Sequence, residues 1–453
     1  MRFIKTRLAL MNFLEFAVWG AYLTSLGRYL SNIDMAGYIG WFYAIQGIVS
    51  IFMPAIIGAV ADRFLAAQKV LSICQLLSGL AMSAAFFYTE LTSTVEFAPL
   101  FTLYTIAVAF FMPTIGLANS VAYTALDKAG LDSVKHFPPI RVFGTIGFIC
   151  AMLFVNFTNF QVSNDQLITS AIFSFMMAGY VLSMPDCPVN KGGKKRTLAE
   201  TLGLNAFKLF KNRQMAFFFI FSMLLGVSLQ ITNGFANPFI GSFENMPDYH
   251  GGFWANNANL LISFSQMSET LCILLIPFFL KRYGIKVVML MAMVAWVMRF
   301  GFFGIGDTHV PGIAWLIISC IVYGIAFDFF NVSGSLFVDQ QTDISIRSSA
   351  QGLFMLMTNG IGATVGTLGA QAVINKLVPQ IHLEEGQLFT EQQALATEHG
   401  WHSAWLIFAA YALVVAILFF FIFKNPHKNA SAESIREAET SEADPAGFVL
   451  NKE

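Results

Sequence analysis

Apolar residues run along this chain in long stretches rather than in the alternation of a half-buried strand or the single stripe of a soluble helix. They fall near residues 7–30, 38–61, 70–89, 97–118, 140–158, 166–185, 215–240, 254–280, 286–305, 311–335, 350–374 and 402–424. Most are about 20 residues long, the length a helix needs to cross a hydrocarbon layer of roughly 30 Å. In lipid every backbone N–H and C=O must be satisfied inside the segment, which a helix achieves. The pattern predicts an all-α integral membrane protein of twelve transmembrane helices. The first stretch is longer than a signal-peptide core and lacks a small-x-small cleavage site, so it reads as a retained first helix.

Composition agrees: 56% of the 453 residues are hydrophobic and only 12% charged, against about 25% charged in soluble domains. The net charge of −1, with no basic run interleaved with aromatics, argues against nucleic acid as a partner. Cys74, Cys150, Cys272 and Cys320 lie in apolar stretches and Cys187 follows the sixth. No CxxC or Cys/His spacing appears, so they read as small packing residues, and neither metal nor cofactor is expected. The pair His399 and His402 reads as a solvated helix start rather than a metal site. No HExxH, GxSxG or P-loop motif suggests an enzyme.

Basic residues in short loops stay on the cytoplasmic side. With both termini inside, 22 of the 26 Lys and Arg fall in inside pieces, and the alternation would collapse if the segmentation slipped by one helix. The longest basic loop, 186–214, holds Lys191-Gly-Gly-Lys-Lys-Arg196 and divides the segments six and six. It predicts halves at 1–185 and 215–424, a linker between them, and a disordered cytoplasmic tail at 425–453. Pro54 near the end of segment 2 precedes Asp62-Arg63, as Pro277 near the end of segment 8 precedes Lys281-Arg282. Two six-helix halves in parallel repeat describe the major facilitator fold. Gly58-x-x-x-Asp62-Arg63 resembles the loop signature of that superfamily, which makes Asp62 and Arg63 candidate cytoplasmic gate residues.

A charge at the centre of a membrane helix costs roughly 2.5 to 3.5 kcal/mol, so such residues are where function should be sought. Arg141, Thr145 and Phe148 share a face of segment 5 within about 60°, either as a ligand wall or with Arg141 snorkelling to the interface. Gln230 and Asn233 in segment 7, and Gln266 and Glu269 in segment 8, form i, i+3 pairs. They suit hydroxyl-rich ligands, or glue helices together. Tyr323 and Phe327 share a face of segment 10, with Asp328 rotated about 100° from Phe327. Asp328 either exchanges a proton as water access alternates or pairs with Arg299 of segment 9. Glu15 in segment 1 is a further buried carboxylate, lining the cavity or packed against polar neighbours. Trp19, Trp41, Trp254, Trp315 and Trp401 read as interface anchors or packing. Gly360, Gly362, Gly366 and Gly369 suit close helix contact.

Jointly, Phe13-Leu-Glu-Phe-Ala-Val-Trp19-Gly-Ala-Tyr-Leu-Thr-Ser-Leu-Gly27, Arg141-Val-Phe-Gly-Thr145-Ile-Gly-Phe148, Gln230-x-x-Asn233, Gln266-x-x-Glu269 and Tyr323-x-x-x-Phe327-Asp328 resemble the nucleoside:proton symporter family of the major facilitator superfamily. The likeness runs over nearly the whole chain. It implies a cavity in which Arg141, Thr145 and Phe148 face Gln230, Asn233, Gln266, Glu269, Tyr323 and Phe327, with ribose on the polar groups and the base against the rings. Asp328 is similar to the carboxylate proposed there for proton coupling. Glu15 stands where relatives are expected to carry an amide, so it is a second, weaker candidate for coupling. The resemblance implies a monomeric importer of nucleosides, purine and pyrimidine alike, such as uridine and adenosine, in a bacterial inner membrane. A carrier of another polyhydroxylated solute such as a sugar is the alternative, with a membrane-embedded enzyme or sensor further off. The acidic stretch 378–399 does not align with the family.

Overall fold

The computed structural model describes residues 3–187, 204–342, 346–383 and 386–423, and every regular element among them is helical. In chain order these are α1 (Ile4–Gly20), α2 (Leu26–Asn32), α3 (Ile39–Arg63), α4 (Ala67–Leu91), α5 (Phe97–Lys128), α6 (Ser133–Phe157) and α7 (Asp165–Val181). The second group is α8 (Arg213–Ser242), the short α9 (Phe253–Asn256), α10 (Ala258–Phe303), α11 (Gly312–Gln341), α12 (Arg347–Met355), α13 (Ala363–Leu377) and α14 (Glu391–Ile422). A wider π-helical turn over Leu356–Gly362 joins α12 to α13. Among the described residues, nine helices are long and apolar enough to cross a membrane.

The difference from the twelve expected segments lies in three places. Segments 8 and 9 run on as one 46-residue helix that reverses at Gly284, whose φ of 76° and ψ of 169° are open to glycine and closed to most side chains. Segment 1 is broken into α1 and α2 by the turn at Ala21–Ser25, where the Tyr43 hydroxyl takes up the freed Leu23 carbonyl. Segment 6 is the 17-residue α7.

The last helix corrects the sequence reading. α14 starts at Glu391, not near 402, because Thr390 and Gln393 form a reciprocal cap: the Gln393 amide donates to the Thr390 hydroxyl (3.3 Å) and the Thr390 amide donates to Gln393 Oε1 (2.9 Å). The acidic stretch therefore holds a helical turn or more. His399 and His402 sit inside that helix, and His402 packs against Phe239 with Nε2 3.1 Å from the Gly306 carbonyl. Trp401 is buried beside Trp405, the packing alternative of the sequence reading.

Helices α1 to α7 pack chiefly among themselves, as do α8 to α14. The two groups meet through α2 on α8, α3 on α13 and the π-helical turn, and α6 on α10. Inside each group the closest contacts are backbone on backbone. A Cβ on Gly147 would collide with the Phe13 carbonyl, and one on Gly20 with the backbone of Phe148, so α1 and α6 touch directly. Gly226, Gly362 and Gly366 do the same between α8 and the π-helical turn and α13, whereas Gly369 faces open space. Without a hydrophobic drive between helices in lipid, such small-residue packing is what joins them.

Asp62 and Arg63 end α3, but their side chains, like the 188–203 part of the linker and the tail from 424 on, lie outside the described residues.

Candidate functional site

Hydrogen bonds between the two groups cluster at the end of the bundle that carries the α2–α3 turn. Thr24 donates to Asn259 Oδ1 (2.9 Å), which also accepts from Asn237 (2.8 Å). Arg28, buried, donates to the Ala255 carbonyl (2.9 Å) and Gln161 to the Asn256 carbonyl (2.6 Å). Asn156 donates to Asn257 (2.7 Å), and Gln371 reaches back to the Ala36 carbonyl (3.0 Å) and the Gly40 amide (2.5 Å). A Cβ on Gly27 would meet the Gly234 carbonyl and the Pro238 ring, so α2 packs directly on the backbone of α8. One end of the bundle is thus sealed.

Beyond the seal, toward the middle of the bundle, α6 and α10 place opposite charges within electrostatic reach. The guanidinium of Arg141 lies 3.9 Å over the Phe16 ring of α1 and within electrostatic reach of Glu269 on α10 and Glu15 on α1. Among the described residues no ion pair joins it to either carboxylate, while its position over the Phe16 ring holds it inside the bundle. Glu269 in turn lies within electrostatic reach of Tyr323 and Asp328 of α11, with Gln266 one turn before it on α10. Tyr323 and Phe327 stack with centroids 5.7 Å apart and planes 9° from parallel. Phe148 meets Trp19 edge-on at 6.3 Å.

The structure thus assembles Arg141, Gln266, Glu269, Tyr323, Phe327 and Asp328. Thr145 lies half-buried one turn along α6 from Arg141. Gln230 and Asn233 satisfy each other, Asn233 Nδ2 donating to Gln230 Oε1 (2.7 Å). Their neighbour Leu229 shares a cavity with Phe327 and Trp296.

Two sequence expectations resolve here. Arg299 is only 2% exposed, yet its partners are the Ser319 carbonyl (3.0 Å), the Ser265 hydroxyl (3.3 Å) and the face of Tyr323 at 4.3 Å. Among the described residues no ion pair joins it to Asp328. Asp328 is 4% exposed, and its Oδ2 has no hydrogen-bond partner. Glu15, fully buried, packs against polar neighbours rather than lining the chamber: Gln75 donates to it at 2.8 Å, Thr114 donates to its other oxygen, and Ser174 braces Gln75 at 2.6 Å.

Sequence reading missed two rings. Trp19, taken as an anchor or packing residue, stands among Phe16, Phe111 and Phe148. Trp296 meets Tyr323 at right angles, 6.0 Å between centroids. The available signal was position: Trp296 lies mid-segment, one turn before Arg299 on the same face.

A bundle of apolar helices in two groups, sealed at one end and carrying an arginine, carboxylates and stacked rings beyond the seal, defines a solute transporter of the major facilitator type. The pattern of the family described as Nucleoside H+ symporter matches residues 2–428, and the chain belongs to that family. It is a multi-pass membrane transporter, not an enzyme. It is 44% identical over 426 residues to xanthosine permease of Escherichia coli (strain K12), covering 94% of this chain and 97% of that one. It is 43% identical over 427 residues to nucleoside permease NupG of the same organism, with the same coverage. The crystal structure of nucleoside transporter NupG superposes with a TM-score of 0.81 at 42% identity, covering 94% of this chain and all of that one. A D-xylose-proton symporter shares the fold alone, with a TM-score of 0.65 at 15% identity.

Proposed function

We propose that this protein imports nucleosides by proton symport through alternating access, acting as a monomer in a bacterial inner membrane with both termini in the cytoplasm. The observation that carries the reading is the placing of Arg141 within electrostatic reach of Glu269 across the two helix groups, together with a buried Asp328 whose Oδ2 has no hydrogen-bond partner. A guanidinium and a carboxylate on opposite halves, near enough to influence each other but not paired, are free to be bridged by a ligand that hydrogen-bonds both. In this reading residues 1–185 and 215–424 rock against each other, joined by the 186–214 linker.

The base lies against Phe148, Tyr323 and Phe327, and the ribose hydroxyls bond Gln230, Asn233, Gln266 and Glu269, with Arg141 and Thr145 closing the other wall. Stacking favours any planar heterocycle, which supports both purine and pyrimidine nucleosides. Asp328 carries the coupled proton: its charged form is desolvated and unpaired, so it loads a proton when the chamber meets the acidic side. Glu15 is the lesser candidate, held by Gln75 and Thr114. Asp62 and Arg63 brace the cytoplasmic gate. With basic loops inside, the sealed end faces outward and the state is inward-facing.

At 100 mV one entering proton contributes about 2.3 kcal/mol, enough for roughly fifty-fold accumulation before any pH gradient. The test is uptake of radiolabelled uridine into proteoliposomes with and without an imposed proton gradient. Gradient-driven accumulation, competed by adenosine and not by glucose, is expected. Accumulation competed by glucose, or none with the gradient, overturns the reading.

A further inference from the structure

Asp328 is closed off from water in a state whose chamber faces one side, so a proton it carries needs a way out. On an α-helix, residues seven and eleven positions further on return to within about 20° of the starting face. From Asp328 along α11 these are Ser335 and Asp339, and Asn331 lies about 60° to one side. The stripe runs about 16 Å toward the end of the helix remote from the seal.

Each member is polar and less buried than Asp328. Asn331 is half-buried and lines, with Thr358 and the apolar Leu225, Leu229, Trp296, Phe327 and Phe330, a cavity of about 20 Å³. That volume admits one water, for which about 10 to 15 Å³ and two polar partners suffice, and Asn331 and Thr358 are the two. Ser335 donates to Gln351 Oε1 of α12 (3.0 Å), and Gln351 returns a bond to the Ser335 carbonyl (2.7 Å). This leaves the lone pairs of the hydroxyl free to accept. Asp339 pairs with Arg347 at 3.0 Å where both side chains stand open, 44% and 40% exposed.

We infer that Asn331, Ser335 and Asp339, with Gln351 orienting the serine, form the exit path by which the coupled proton leaves Asp328 for the side of the membrane that bears Arg347. The inference rests on the reading that Asp328 carries that proton. The carboxyl of Asp328 gives its proton to a water beside Asn331 and becomes a carboxylate. Ser335 accepts that water's extra proton at its hydroxyl oxygen while its own hydroxyl proton turns from Gln351 Oε1 to a second water, which delivers it to the Asp339 carboxylate, and Asp339 releases it to bulk water. Asn331 and Gln351 neither gain nor lose a proton; they hold the hydrogen-bond chain in line.

Two assays on the full chain in proteoliposomes separate this path from ordinary helix packing. Net uphill uptake of uridine requires proton release, whereas exchange of labelled for unlabelled uridine at equal pH lets the carrier return with its proton in place. Ser335→Ala is expected to slow net uptake about tenfold while exchange stays within about twofold. Ser335→Thr, which keeps a hydroxyl, is expected to restore it, and Asn331→Leu, which fills the water cavity, to act like Ser335→Ala. Net uptake at the wild-type rate in both loss variants overturns the path, as does a parallel fall of both assays, which marks a packing role. Asp328→Asn run alongside tells the two readings apart: if it still accumulates uridine, the assignment of Asp328 itself fails, whatever the serine does.

Discussion

The Thr24 hydroxyl donates to the amide oxygen of Asn259 at 2.9 Å, although 235 residues separate them and they belong to different helix groups. The same oxygen accepts from Asn237, so one amide ties α8, α10 and the broken first span together at the sealed end.

Removing that tie should loosen the seal. A neutral hydrogen bond contributes about 0.5 to 1.5 kcal/mol net, so Thr24→Val or Asn259→Ala should shift the balance toward the state open at this end by roughly two- to tenfold. Labelling of a cysteine placed at Asn156 by an impermeant thiol reagent is expected to quicken accordingly.

Filling Gly27 should do more. Its Cβ position is taken by the Gly234 carbonyl and Pro238, and overpacking of this kind costs about 1 to 3 kcal/mol. Gly27→Leu is expected to abolish uridine exchange by blocking closure while leaving the thermal midpoint of the purified protein near wild type. Gly147→Leu, inside one group against the Phe13 carbonyl, is expected to lower that midpoint instead.

Arg141→Lys keeps the charge and loses the planar fork that lies on Phe16. Lysine is a compact point charge and does not stack as guanidinium does. Uridine uptake is expected to fall about tenfold or more, through KM as well as rate, and Glu269→Gln should fall with it less than additively because the two groups act on each other.

Asp328→Asn should leave uridine exchange measurable and remove gradient-driven accumulation. Accumulation against a concentration difference in that variant counts against the proton-coupling role.

The span pattern was legible because each crossing needs about 20 apolar residues, and lipid leaves few other solutions. What stayed hidden depends on local bonds between residues far apart in sequence. The start of α14 was lost because Glu391, Glu398 and His399 read as polar loop, whereas the Thr390–Gln393 cap turns them into helix. The break at Ala21–Ser25 carries no proline or glycine and is held by Tyr43 from another helix. Within the site, i, i+3 spacing marked the chemical stripes, but pairing was invisible. Arg299 looked like the partner of Asp328 until the hydroxyl of Ser265, the carbonyl of Ser319 and a tyrosine face accounted for it. Glu15 could not be placed from sequence because Gln75, Thr114 and Ser174 come from three other helices.

Tyr323 is gripped on several sides: Arg299 over its face, Phe327 parallel to it and Trp296 at right angles. A ring so confined has lost its rotational freedom during folding, before any solute arrives. Ordering an unconstrained side chain on binding costs roughly 0.5 to 1.5 kcal/mol, and here that entropy loss is already part of the empty carrier. A solute that binds beside Tyr323 therefore loses none of its binding free energy to ordering that ring.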